Sequence, residues 1–279
     1  MELNILQTVF LGFISGISEV FPISAQAHRL MILNFLGISK EPAFLRLLIH
    51  LATVFTLHFL CRKHIVRMMR AQRLARVPKR KRKRPLDVDA LMDFNLLKMT
   101  LIPIILGFCF YFKIQPLAGK LLYLAGFLVL NGLILYIPQF LPGCNKDSGA
   151  MSRIDSLLFG LGGTLGTLPG VSSLGAAVSV GSVRGMDADH VLNLALVINI
   201  PINLGFALFD LMDLFNGGFS GFTFSMLIGS VLAAAAVAGG MILALNLLKK
   251  LLKVAGYSVF SFYSWGAALF IFVFYLMFA

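Results

Sequence analysis

Acidic side chains are scarce in this chain. Of 279 residues only 12 are Asp or Glu, against 24 Lys or Arg, and charged residues of both signs make up 13%. So little charge excludes an ordinary soluble globular surface. Cysteine is almost missing too. Cys61, Cys109 and Cys144 are scattered without paired or metal-like spacing, which excludes a disulfide framework and a cysteine zinc site. No cleavable leader is expected, because the first apolar segment has no basic start and is interrupted by Glu19 and Pro22. What remains is apolar: 58% hydrophobic, with a mean hydropathy of +0.89. Stretches long enough to cross about 30 Å of hydrocarbon recur along the chain. The expectation is an all-α, polytopic membrane protein forming one integral domain over residues 1–279.

The positive charge is concentrated. Residues 62–84 hold 12 Lys and Arg and no acid, and the other 12 basic residues balance the 12 acidic ones. A nucleic-acid patch is one reading of such a run. The plainer reading, adopted here, is a cytoplasmic loop held by the positive-inside rule, touching anionic headgroups, with no nucleic-acid partner. Lys249, Lys250 and Lys253 should lie on the same side.

Six spans are expected near 43–61, 90–112, 117–140, 188–212, 222–248 and 256–278. Residues 5–37 and 154–186 read differently. Each is a short apolar stretch, a proline with serine nearby, and a second short stretch. Half-helices broken inside a membrane are tolerated where they are buried in protein or line a wet cavity. Both are therefore expected to be re-entrant hairpins. They also match each other. Gly16 precedes Pro22 by six residues and Gly163 precedes Pro169 by six, and a similar apolar span follows each, from Phe44 and from Val191. The loop rule gives those spans opposite directions. The reading is thus an inverted repeat, 1–140 and 141–279, with the working site between the halves.

The first break, "GISEVFPISAQAH", sets Glu19, Ser24 and His28 inside an apolar run. Ionisable groups at such depth are expensive and mark function by default. A Glu19–His28 pair that only locks the hairpin is the structural alternative. The second break, "TLPGVSSLGAAVSVG", offers Gly170, Ser172 and Ser173 as an anion cradle, or small residues for tight helix packing. Arg29 is placed to reach a phosphate or to snorkel. Arg184 is expected at a helix end, His50 and His58 as polar glue, and Asp210 and Asp213 at the membrane interface.

These residues resemble a family. "LGFISGISEVFPISAQAHRLMILNFLG" is similar to the first signature of undecaprenyl pyrophosphate phosphatases of the BacA type, and "LPGVSSLGAAVSVG" to the second, with "LIPIILG" and the chain length in agreement. The resemblance implies six spans, two re-entrant hairpins and a pocket open to the periplasm, in a bacterial inner membrane. It also implies a polyprenyl diphosphate cut to its monophosphate with Mg²⁺ or Ca²⁺. It makes His28 and Glu19 the catalytic candidates, Glu19 the metal ligand, and Ser24, Ser172, Ser173, Gly170 and Arg29 the phosphate contacts. A homodimer is left open. Several family positions differ. Ser15 stands at the first acidic or amide position, Ala25 at the second serine, and Ala27 at the glycine before His28. In the second signature Ser173 replaces the arginine, Leu174 the next serine and Ala177 the threonine, and Tyr263–Ser264 stands for a tyrosine–arginine pair. Phosphoryl transfer leans on cationic stabilisation, and neither Ser15 nor Ser173 carries charge. The resemblance therefore implies binding of a polyprenyl phosphate or diphosphate more directly than its hydrolysis. A non-catalytic flippase or other transporter using the same cavity stays open, as does a structural or regulatory role.

Overall fold

The computed structural model describes residues 3–38, 41–141, 146, 148–217 and 223–278, so Cys144 and residue 222, the expected start of the fifth span, lie outside the described residues. Among the described residues the secondary structure is helical, with one isolated bridge and no strand. The helices are α1 Ile5–Val20, α2 Ala25–Phe35, α3 Ala43–Leu60, α4 Arg62–Ala75, α5 Val88–Ile114, α6 Leu121–Tyr136, α7 Arg153–Thr164, α8 Ser173–Val183, α9 Ala188–Gly217, α10 Phe224–Ala255 and α11 Ser258–Phe278. Six of them (α3, α5, α6, α9, α10 and α11) are long and apolar enough to cross a membrane, matching the six expected spans.

Local chemistry explains the two breaks. Asn4 and Gln7 form a capping box that starts α1, and Ser152 and Asp155 form one that starts α7. Each helix stops ahead of a proline. Phe21 before Pro22 and Leu168 before Pro169 are both extended, as the steric demand of the following ring requires. The chain then turns within a few residues. Ser24 caps α2 and Ser172 caps α8, each accepting from a first-turn N–H. Ser24 sits at φ +67, the one non-glycine described residue in the left-handed region.

The two hairpins enter the bundle from opposite ends. A Cβ at Gly229, near the start of α10, would touch Thr8 of α1. Phe35 closes α2 against Phe270 and Phe274 at the end of α11, with ring centroids 5.5 and 4.8 Å apart. Both ends of the first hairpin thus lie at that end of the bundle. The second hairpin begins and ends at the other, where Asp155 of α7 pairs with Arg184 just beyond α8. There the chain turns into α9, whose His190 lies 3.2 Å from Asp93 of α5, with His64 of α4 3.6 Å from the same carboxylate. Lys249 of α10 is within electrostatic reach of Cys61 there, so the 249–253 cluster shares an end with the basic run. The packing is correspondingly symmetric: α1 lies on α10, α7 on α5, α3 on α9 and α6 on α11. Close approach needs glycine at both hairpins. A Cβ at Gly16 would overlap the backbone of Val237, and one at Gly160 would sit 2.8 Å from backbone atoms of Thr100.

The hairpin tips meet. Gly175 of α8 lies against the ring of Pro22, where a Cβ would come within 2.7 Å. Asn131 of α6, fully buried, ties both tips together. Its Nδ2 donates to the Pro22 carbonyl (3.0 Å) and to Ser264 Oγ (2.9 Å), and its Oδ1 accepts from the Ser172 N–H (2.9 Å).

The basic run is not all loop. Its first half is α4, because it lacks Gly and Pro before Pro78 and places Met68 and Ala71 on one face against Ala90. Arg67 clips the following segment through two bonds to Asp87, 2.6 and 2.9 Å. That hydrogen bonding holds the Asp87 carboxyl below the usual carboxylate range. The clip is therefore complete at neutral pH and is lost only as pH falls through that lowered value. Water screens the pair, so Arg67→Gln should cost under about 1 kcal/mol, yet speed tryptic cleavage within 76–84 several-fold. Unchanged cleavage would show that the clip does not hold the loop.

Candidate functional site

A cavity of about 520 Å³ lies where the two hairpin tips meet the spans. Its walls come from α1 (Ser18, Glu19), the start of α2 (Ser24, Gln26, Arg29), the start of α8 (Ser172, Ser173), α3 (Arg46, His50), and α5 and α9. Ala43, Gln115, Gly119, Asn216 and Gly217 also line it, so it opens at the end of the bundle opposite the basic run. Both hairpins aim a helix N-terminus into it. Such starts carry partial positive charge and orient N–H groups toward an anion.

Arg29 brings a positive charge to the cavity from α2. It rises one turn above the start of α2, is buried, lines the cavity, and pairs with Glu41 at 3.1 Å. Arg46 joins it from α3. Its Nε donates to Asp210 (2.8 Å) and its Nη2 to Asp213 (2.6 Å). His50 completes the group: Nδ1 lies 2.6 Å from Asp210 Oδ2, Nε2 lies 3.4 Å from Arg29 Nη2, and the ring stacks on Phe206. Carboxylates thus occupy the arginines in the same way that a phosphate would.

The expected residues divide. Glu19, Ser24, Ser172, Ser173 and Arg29 do line one cavity. Glu19 accepts from Asn203 Nδ2 at 2.6 Å rather than bonding His28. His28 and Gly170 are not among the lining residues. His28 Nδ1 is 2.8 Å from the Ser24 carbonyl and Nε2 is 2.6 Å from the Tyr263 hydroxyl. A carbonyl only accepts, so Nδ1 carries the proton and, in the neutral ring, Nε2 accepts from Tyr263. Both nitrogens are thus engaged, by Ser24 and Tyr263. Gly170, at φ +117, packs on α6, where a Cβ would lie 3.1 Å from the Leu124 carbonyl oxygen. Ser15 hydrogen-bonds the Leu11 carbonyl of its own helix at 2.6 Å.

Some expectations for single residues are corrected. Asp210, expected at the interface, is a buried partner of Arg46 and His50. His50 joins α3 to α9 and also faces the cavity, whereas His58 is exposed rather than glue. Arg184 does cap α8. Reasoning from sequence missed Glu41, Arg46, Asp210, Asp213, Asn131 and Asn203. A signal was present: Arg46 and His50 are four apart, Asp210 and Asp213 three apart, so each pair shares a helix face.

No group of three or more His, Cys, Asp or Glu among the described residues is arranged to hold a metal ion. The cavity carboxylates among the described residues are already paired with arginine or asparagine.

A bundle with six helices long and apolar enough to span, and two short hairpins whose tips meet at a polar cavity, defines a multi-pass membrane protein. The chain belongs to the family described as bacitracin resistance protein BacA, which matches residues 8–270. It is similar to an undecaprenyl-diphosphatase of Methanobrevibacter smithii, 27% identical over 97% of this chain and 98% of that one. Undecaprenyl-diphosphatase 1 of Shouchella clausii is 27% identical over 98% and 97%, and the Nocardioides enzyme is 29% identical over 77% of each chain.

Proposed function

We propose that the chain takes the diphosphate head of a polyprenyl lipid into this cavity and releases the terminal phosphate, leaving the lipid monophosphate. One observation carries the reading: two helix starts, the buried Arg29 and the mostly buried Arg46 converge on a single cavity. The family and the names of its relatives support the substrate. An aromatic wall supports a lipid tail. Phe206 and Tyr111 line the cavity, and Phe209 continues from Tyr111 (4.9 Å between rings) to the exposed Phe112 (4.6 Å). With the basic run held inside, in a bacterial inner membrane, the mouth faces outward. Arriving phosphate oxygens displace Glu41 and Asp213 from the arginines. Glu19, with the lipid's own oxygens, is the residue that would hold a Mg²⁺ or Ca²⁺ ion, in the manner of sites that share the ion with substrate. Such an ion would neutralise phosphate charge.

A second reading, a flippase or other transporter working without chemistry, is favoured by the neutral residues Ser15, Ala25 and Ser173 at family positions. Purified protein with a C15 or C55 diphosphate and Mg²⁺ or Ca²⁺ separates the two. Hydrolysis predicts phosphate release that falls about 10³-fold or more in Arg29→Gln, the effect of removing a phosphoryl-stabilising arginine. Binding of the lipid and its movement across liposomes, with no phosphate released, would establish transport instead.

A further inference from the structure

The cavity holds one histidine whose ring is set up as a base, and it is not the one in the first signature. His50 Nδ1 lies 2.6 Å from Asp210 Oδ2, and the other Asp210 oxygen is held by Arg46 at 2.8 Å. A carboxylate accepts, so Nδ1 carries the proton, and the Nε2 lone pair accepts from Nη2 of Arg29, a fellow lining residue, at 3.4 Å. Base, orienting carboxylate and adjacent cation thus stand together, three parts that a hydrolytic site needs. His28, by contrast, does not line the cavity, and its nitrogens bond Ser24 and Tyr263.

Resting on the hydrolytic reading above, we propose that His50 is the general base, positioned by Asp210, that activates water against the terminal phosphorus. Water gives one proton to Nε2 as its oxygen bonds to phosphorus. The anhydride P–O bond breaks, and its electron pair stays on the oxygen of the lipid monophosphate. The phosphoryl group leaves as inorganic phosphate, and the proton passes from His50 to solvent. Arg29, 3.4 Å from Nε2 before substrate enters, turns to the phosphoryl oxygens. This transfers to α2 the cationic role absent at Ser173. Asp210 touches no substrate. It fixes the ring's orientation through Nδ1.

The test uses the full chain in nanodiscs with farnesyl diphosphate, reading both lipid binding and phosphate release. His50→Asn keeps a donor for Asp210 but lacks Nε2. It should release phosphate at least 10²-fold more slowly, with binding within threefold and an unchanged melting temperature. His50→Ala should regain part of its rate with added imidazole. Asp210→Asn should lower kcat more than tenfold while KM stays within threefold. His58→Ala, on the exposed face of α3, should match the wild type. Wild-type release that survives in His50→Asn but is lost in His28→Gln would overturn His50 as the base and leave the hydrolytic reading standing. Wild-type binding without release would overturn both, and absence of binding would overturn the lipid assignment itself.

Discussion

Replacing Asn131 with leucine should lower stability by about 3 kcal/mol and stop phosphate release together. Its side chain hydrogen-bonds the Pro22 carbonyl, the Ser172 N–H and Ser264 Oγ at once. Hydrogen bonds between membrane helices average only about 0.6 kcal/mol, because unfolded segments in lipid also find partners. Three such bonds would be worth about 2 kcal/mol. Two of them, however, serve backbone groups at helix breaks. Stranding a buried backbone donor or acceptor costs about 1–3 kcal/mol, which brings the total above the simple sum. Ser264→Ala removes only one bond and should cost under about 1 kcal/mol with release retained. Thermal unfolding in detergent, paired with the phosphate assay, checks both. Equal losses in the two variants would mean that the tips do not depend on Asn131.

The breaks themselves were legible because their causes are local. Proline after an extended residue and a serine cap act over a few positions, so Pro22, Ser24, Pro169 and Ser172 announced both turns. The spans were legible because a membrane crossing needs length and apolarity and little else. Opposed insertion followed from one charge-rich segment. Glu19, Ser24, Arg29, Ser172 and Ser173 reached one cavity because they lie within a turn or so of the tips. The rest of the cavity depends on partners far apart in the chain. Arg46 and Asp210 are separated by 164 positions and Glu19 and Asn203 by 184. Asp210 read as interfacial because it sits near the end of a long span. Only the packing of α3 on α9 shows that it faces inward. His28 misled for the opposite reason. Its place beside the tip is right, but the direction of its ring is decided by Tyr263, 235 positions away.

The larger stability effect is expected from Arg46→Met. Arg46 is mostly buried, and it neutralises Asp210, which is also buried, while reaching the half-exposed Asp213. Removing one partner of a buried ion pair leaves an uncompensated charge and typically costs 3–5 kcal/mol, whereas replacing the whole set with packed apolar side chains is often neutral or stabilising. The single variant should therefore lose about 3–5 kcal/mol. The triple variant Arg46→Met, His50→Phe, Asp210→Leu should recover most of that loss, since phenylalanine can keep the stack on Phe206 and no buried charge is left alone. Asp213 remains solvated in either case. Phosphate release should be absent from the triple variant despite its restored melting temperature. That separation is the result that matters: stability returns while function does not, so the charges are held in the membrane for their chemistry. A triple variant as unstable as Arg46→Met would instead make the network a structural brace between α3 and α9.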